Sequence, residues 1–361
     1  MYLEKIHLLN FKNYDEFSAE FCSQINCIVG ENGSGKTNLL DAIYYLSLTK
    51  SAFSQSDNQV LKHEKDFFLL EGKYFIENEN VEIKCSLKAG QRKILQLNKN
   101  PYEKISEHIG KIPIVLIAPD DTELIKNGSE ERRKFFDGLI AQLDYNYLLD
   151  FIKYNSILKQ RNALLKQFSE KNYFDNEILE VYNNQLLPLG ENIHQKRKDF
   201  IHEFVPVFRS RYATLSESRE EVNLTYVSEL FENNFQYNFF NNFKKDIKYQ
   251  RTLMGVHKDD FTFEIDKFSL KKYGSQGQQK SFVIALKLAQ FEFIKIKKKV
   301  KPILLLDDIF DKLDDRRIHE MMNMIADHQF GQIFVTDARQ ERTEKIFEKI
   351  SAEIRIFQTS K

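Results

Sequence analysis

The 361 residues carry no excess of charge of either sign: Lys and Arg total 53, and so do Asp and Glu. A balanced chain has no global field to gather a polyanion, so any nucleic-acid contact must come from local patches. Cysteine is almost absent. Cys22, Cys27 and Cys85 are odd in number and lack metal-ligand spacing, which argues against a disulfide framework and fits a reducing compartment. Apolar runs are short. None approaches the roughly 18 residues of a membrane span, and the opening stretch "MYLEKIHLLNFKNY" has no signal-peptide core or cleavage site. Repeats and low-complexity tracts are missing, and the eight histidines show no ligand spacing. Tryptophan does not occur beside 31 Phe and 16 Tyr, a skew that assigns no function. The expectation is a soluble cytoplasmic protein. Its 42% hydrophobic content suffices for one large core or two ordinary ones.

What is present is concentrated. Gly30, Gly35, Lys36 and Thr37 satisfy the spacing G-x-x-x-x-G-K-[ST]. The run Ile25–Val29 before them reads as a buried strand. Asn38–Leu48 after them reads as a helix through Leu39, Leu40, Ile43, Leu46 and Leu48. Strand, loop and helix in that order make a phosphate cradle. The glycines let backbone N–H groups turn inward around a phosphate, with Gly30, Glu31, Asn32, Gly33, Ser34 and Gly35 as the candidate binding residues, and the helix start adds its positive dipole end. Lys36 would reach the β- and γ-phosphates of ATP, and Thr37 would ligate Mg²⁺. A glycine-rich turn beside an ordinary surface lysine is the plainer alternative.

Such a site also needs a carboxylate at a strand end. "PILLLDDIFDKLDDRR" supplies one: Ile303–Leu306 is continuously apolar and stops at Asp307-Asp308. Two acids directly after four buried aliphatics are costly unless they meet a cation or water. Asp307 would hold the magnesium shell, and Asp308 would orient or deprotonate the attacking water. Alone, the pair could be a solvated acidic turn; beside the loop it reads as the second half of the site. A third stretch, "YGSQGQQKSFVIALKLAQFEFI", places Gly274, Ser275 and Gly277 before a helix running from Lys280. This is a second helix start with small polar residues, and one chain needs only one cradle. The economical reading is that it faces the nucleotide of another subunit.

Together these residues resemble an ABC-type ATPase head and, within that class, the RecF family of recombination mediators. Ser275-Gln276-Gly277-Gln278-Gln279 resembles the signature loop, and Phe310-Asp311-Lys312-Leu313-Asp314 the D-loop. Leu8–Tyr14 resembles the N-terminal element whose basic residue, here Lys12, approaches the phosphates. "APDDTELIKNGSEERRKFFD" (Ala118–Asp137) and "GVHKDDF" (Gly255–Phe261) also match. The resemblance covers essentially the full length. Asp308 stands where many ABC proteins have glutamate, Thr336-Asp337 where transporters place histidine, and Val256 and Lys258 where proline and arginine are usual. The fold implied is α/β: an ABC-ATPase head with a P-loop, a mixed sheet and an antiparallel β subdomain, plus an inserted helical lever domain. The head would take 1–140 and 250–361, and the lever 141–249.

The insert reads as helical over about 145–210. One apolar stripe carries Phe151, Tyr154, Leu158, Leu165 and Phe168; a second carries Ile178, Tyr182, Leu189, Ile193, Phe200 and Phe204. Pro188 should kink the second helix and Pro206 should disturb its end. Upstream, Phe67–Leu97 reads as short strands with a turn at Lys88-Ala89-Gly90-Gln91, and Ile112–Ile117 as another buried strand. Basic clusters occur at Lys295, Lys297, Lys298, Lys299 and Lys301; at Lys244, Lys245, Lys248 and Arg251; and at Arg132, Arg133 and Lys134. Each could be no more than a solvated loop. The resemblance, not the charge count, implies DNA as partner, single-stranded or at gaps and junctions of double-stranded DNA. It also implies an ATP-dependent homodimer, RecO and RecR as partners, RecA loading as the outcome, and weak DNA-stimulated ATP hydrolysis. An ATPase subunit driving a transport or nuclease complex is the competing reading, and no membrane contact is expected.

Overall fold

The structure, a computed structural model, describes residues 1–216, 220–311, 315–327, 329–348 and 350–359. These fall into two compact units, Met1–Asp121 with Val283–Lys361, and Thr122–Phe282.

In the first unit the four-to-five-residue apolar runs form an all-parallel sheet. Its order is Ile354–Gln358, Ile25–Val29, Ile333–Asp337, Ile303–Leu306, Ile114–Ile117. Continuous aliphatic runs suit strands covered on both faces, and all four interior or far-edge members are buried throughout. Register pairs Leu306 with Val335 and Asp337 with Val29, so the residues that follow these strands emerge at one edge. That carboxyl edge is where open parallel sheets bind ligands.

A separate six-stranded antiparallel sheet has the order Tyr14–Glu20, Tyr2–Phe11, Phe67–Ile76, Glu79–Lys88, Ile94–Leu97, Asn100–Pro101. Two of the strands expected to be short run to 10 residues. The expected turn is present: Gln91 N donates to Lys88 O at 2.9 Å, and Gly90 takes φ +76°. The helix Lys36–Leu48 is apolar nearly all round and is correspondingly buried. Its Leu39, Leu40, Ile43 and Leu46 share one core with Leu8, Phe11 and Phe68 of the antiparallel sheet and Ile28, Leu305 and Phe334 of the parallel one. Sequence spacing put the helix start at Asn38; it begins two residues earlier, at the loop lysine.

The second unit is built on the helices Tyr145–Lys171 and Asn176–Ser216, joined through Asn172 in a left-handed conformation. The second helix continues through both Pro188 and Pro206 to Ser216. Its buried line begins at Leu179 and not at Ile178, which is 44% exposed. Arg161 and Arg197 occupy buried positions within these apolar stripes. An antiparallel sheet of Phe268–Ser269, Asp260–Ile265 and Val222–Val227 completes the unit. The unit is wider than the expected insert 141–249 because Phe136 and Phe261 join its aromatic core. Their ring centroids are 4.3 Å apart, and Phe204 lies 6.1 Å from Phe136. Among the described residues no helix is long and apolar enough to cross a membrane.

Candidate nucleotide site

Ile25–Val29 releases the chain into Gly30–Gly35, and the helix starts at Lys36. Gly33 and Gly35 hold φ of +84° and +101°, a region L residues rarely adopt. Space constrains the loop too. A Cβ on Gly35 would stand 2.6 Å from Asn13 Nδ2, and one on Gly30 would collide with Thr359 Oγ1. No side chain caps Gly35, and no acid sits in the first helical turn. The N–H groups at this helix start are therefore left for an anion. Lys36 is 6% exposed, and its Nζ donates to the loop carbonyls of Gly30 and Glu31 at 2.7 and 3.0 Å. Ser34 is buried against Thr359, Oγ to Oγ1 at 2.6 Å, while Glu31, Asn32 and Gly33 are exposed.

Three strand ends converge beneath the loop. The Thr37 hydroxyl lies 2.9 and 3.0 Å from the two oxygens of Asp307. Thr336, from the strand between those two, donates its hydroxyl proton to Asp307 Oδ1 at 2.8 Å and accepts Asp308 N–H at 2.9 Å. Asp307 N donates to Ile117 O on the other side at 2.9 Å. Burial pushes the Asp307 carboxyl above its usual range; hydroxyl donation from Thr336 and Thr37 partly offsets this, and Asp308 adds to it. A threonine hydroxyl and an adjacent carboxylate form an all-oxygen donor set of the kind Mg²⁺ takes when phosphates and water complete its octahedron. Thr37 and Asp307 would hold the ion, and Lys36 and the loop N–H groups the phosphates. The bound ion would neutralise charge between the β- and γ-phosphates.

This arrangement has a pH signature. Asp307 must lose its proton to bind a cation. Mg²⁺-dependent ATP affinity should therefore fall on acidification at a pH above that of a free aspartate. Thr336→Val removes a hydroxyl that favours the charged carboxylate, so it should move that midpoint to higher pH and weaken Mg²⁺-ATP about tenfold at neutral pH. Titrations with fluorescent ATP from pH 5 to 8 read both effects, and an unshifted midpoint would remove Thr336 from the site.

Other expected site residues are placed differently. Lys12 holds φ +51°, and its ammonium pairs with the buried Asp41 of the Lys36 helix at 2.6 Å. Asp41 also accepts from Ser51 Oγ and Ala52 N. Ser275, Gly277 and Gln278 belong to the second unit. There Ser275 N donates to Gln278 Oε1 at 2.7 Å and Gln278 N to Ser275 Oγ at 3.2 Å, a reciprocal cap on the helix Gln276–Lys298. That helix starts before Lys280 for this reason. Of the D-loop residues, Lys312, Leu313 and Asp314 lie outside the described residues. Sequence reasoning placed Thr336 only where transporters have histidine and missed its contact with Asp307, along with Asn13, Asp41 and Thr359.

Members of two of the three basic clusters are engaged within the protein. Lys298 donates to Gly110 O at 2.6 Å, with burial lowering its pKa, and Lys295 meets Glu292 at 3.3 Å. Arg132 makes a two-pronged pair with Asp260 at 2.8 and 3.0 Å, and Arg133 donates to Asp259 O.

A phosphate loop on one strand and a buried carboxylate from the strand two places away, tied by a threonine between them, are the layout of an ABC-type ATPase head. The family model described as "RecF/RecN/SMC N terminal domain" matches residues 2–361. The DNA replication and repair protein RecF of Flavobacterium johnsoniae is 48% identical over 357 residues, covering 99% of each chain. That of Cytophaga hutchinsonii is 46% identical over 358 residues, covering 99% of this chain and 94% of its own. A solved structure of the recombination mediator protein RecF with ATP, in the RecFOR pathway, superposes with a TM-score of 0.86 at 30% identity. It covers 94% of this chain and 92% of its own. The Smc head domain from Pyrococcus furiosus shares the fold at a TM-score of 0.55 and 19% identity, covering 99% and 94%. This chain belongs to the RecF family.

Proposed function

We propose that this chain is an ATP-dependent DNA-binding protein that dimerises on ATP at single-strand gaps or single–double-strand junctions. There it would promote RecA loading in recombinational repair and replication. Slow, DNA-stimulated hydrolysis would then reset it, and RecR and RecO would be its partners. The observation that supports this reading most is the contact of Thr37 with Asp307, which joins distant parts of the chain into one oxygen donor set beside Lys36. The relatives' names and the pathway of the solved RecF structures supply the biological context.

In this reading Asp307 and Thr37 hold Mg²⁺, and Asp308 orients or deprotonates the attacking water. Lys12 approaches the phosphates once released from Asp41, and Ser275, Gly277 and Gln278 face a partner subunit's nucleotide. Residues 141–249 act as a lever, and the setting is cytoplasmic. Sedimentation with and without ATP and a gapped duplex tests the proposal. The wild-type chain should grow to a dimer with ATP and carry the duplex with it. Asp308→Asn should dimerise and stay closed, because asparagine cannot take the water's proton. Asp307→Asn should dimerise poorly, because a magnesium ligand is lost. A wild-type chain whose size ignores ATP, with or without DNA, would sink the reading.

A further inference from the structure

The strand Ile354–Gln358 edges the parallel sheet and pairs with Ile25–Val29, placing Gln358 opposite Val29. Parallel register then delivers the next residue, Thr359, to the start of the phosphate loop. Thr359 N donates to Val29 O at 2.9 Å, and its hydroxyl donates to the same carbonyl at 3.3 Å. With that proton committed, the hydroxyl oxygen accepts from Ser34 Oγ at 2.6 Å. Ser34 is 3% exposed, and among the described residues Thr359 is the one hydrogen-bond partner of its hydroxyl.

One hydroxyl thus ties the entry of the loop, at Val29, to its penultimate residue, Ser34. Glu31, Asn32 and Gly33 lie between the two ties and are exposed. Other contacts hold other atoms: the Tyr14 hydroxyl donates to Gly35 O at 3.1 Å, and Lys36 to Gly30 O and Glu31 O. Lys36 must leave those carbonyls to meet a phosphate. The Thr359 contacts use no group that the phosphates need.

Gly30 bears a second, independent mark of this fit. Unlike Gly33 and Gly35, it does not hold a left-handed φ, so conformation alone does not demand a glycine there. Space does. A Cβ on Gly30 would stand 2.6 Å from Thr359 O and 2.8 Å from Ser34 Oγ, and closer still to the Thr359 hydroxyl. The first glycine of the motif is set here by the approach of the edge threonine.

We propose that Thr359 is a positioning residue for nucleotide binding, its hydroxyl holding the phosphate loop in the binding shape before the nucleotide arrives. The inference rests on the phosphate-loop reading above and adds to it a residue from the sheet edge. A loop with three glycines has many alternative shapes, and affinity falls with the fraction of the chain in the competent one.

The test is calorimetry of ATP binding in Mg²⁺ on the full chain. Thr359→Val keeps the side chain's shape and removes its hydroxyl, and should weaken ATP about tenfold. Thr359→Ser returns the hydroxyl and should restore most of the affinity. Adding Ser34→Ala to Thr359→Val should cost nothing further, since both changes break one contact. Suppose Thr359→Val binds ATP as wild type does, or Thr359→Ser binds no better than Thr359→Val, or Ser34→Ala multiplies the loss. Thr359 is then an ordinary strand residue, and the phosphate-loop reading stands without it. If the wild type itself binds no ATP, both fall.

Discussion

Lys36→Ala should reduce ATP affinity at least thirtyfold, measured by calorimetry in Mg²⁺ at low salt. The loop can surround a triphosphate with N–H dipoles, but Lys36 brings a side-chain cation to it, already turned inward onto the Gly30 and Glu31 carbonyls. Leaving a buried phosphate charge without that partner costs on the order of 2–5 kcal/mol. The fold should be intact, since the released carbonyls sit at a loop open to water. An alanine variant that binds ATP as wild type does would mean that the phosphates lie elsewhere.

Arg197→Leu should destabilise the second unit by about 3–5 kcal/mol at neutral pH. Arg197 is 1% exposed and holds two carboxylates at once. It grips both oxygens of Asp137 at 2.9 Å and Asp259 Oδ2 at 2.7 Å, and it donates to Val256 O. Tyr147 and Tyr226 hydroxyls complete the cluster on Asp137 and Asp259. Burial already pushes the Asp259 carboxyl up, against the pull of Arg197. Without the guanidinium, Asp259 would be held protonated in the folded state to a higher pH than in the unfolded chain. A raised folded-state pKa in an acid stabilises the fold at low pH and loses that contribution as pH rises. The deficit of Arg197→Leu should therefore be largest at pH 7 and shrink by pH 5. Limited proteolysis and urea unfolding at the two pH values measure it, and a variant within about 1 kcal/mol of wild type at pH 7 would refute this account.

These two residues mark what could be read without coordinates. Lys36, Thr37 and the strand before them were legible because their chemistry is local: a spacing, a strand and a helix within some twenty positions. Asp307 was legible because two acids ending an aliphatic run are expensive without a purpose. Thr336 was not, since its role exists only once its strand lies between the other two. Arg197 was invisible for a different reason. Periodicity counts a charged residue as solvent-facing, and the partners that make its burial tolerable come from Ala118–Asp137 and Gly255–Phe261, far apart in sequence. Those stretches were noticed as family-like, and the structure shows that Asp137 and Asp259 within them serve a buried ion-pair cluster. The lysine run after residue 294 was legible only as charge: charge density does not say where an ammonium points, and Lys298 donates inward to Gly110 O.

Asp308 holds φ +47°, pinned by its N–H on the Thr336 hydroxyl. Aspartate and asparagine enter that left-handed region readily because their short polar side chains bond locally, while most other residues strain there by roughly 1–2 kcal/mol. The geometry of this bend thus restricts the alphabet available to the acid that follows the strand. A glutamate, the commoner choice among ABC proteins, would gain reach toward a water and would carry that strain, as Glu64 and Glu77 do elsewhere in this chain at φ +65° and +50°. The shape of the corner thus favours the shorter acid by a modest margin.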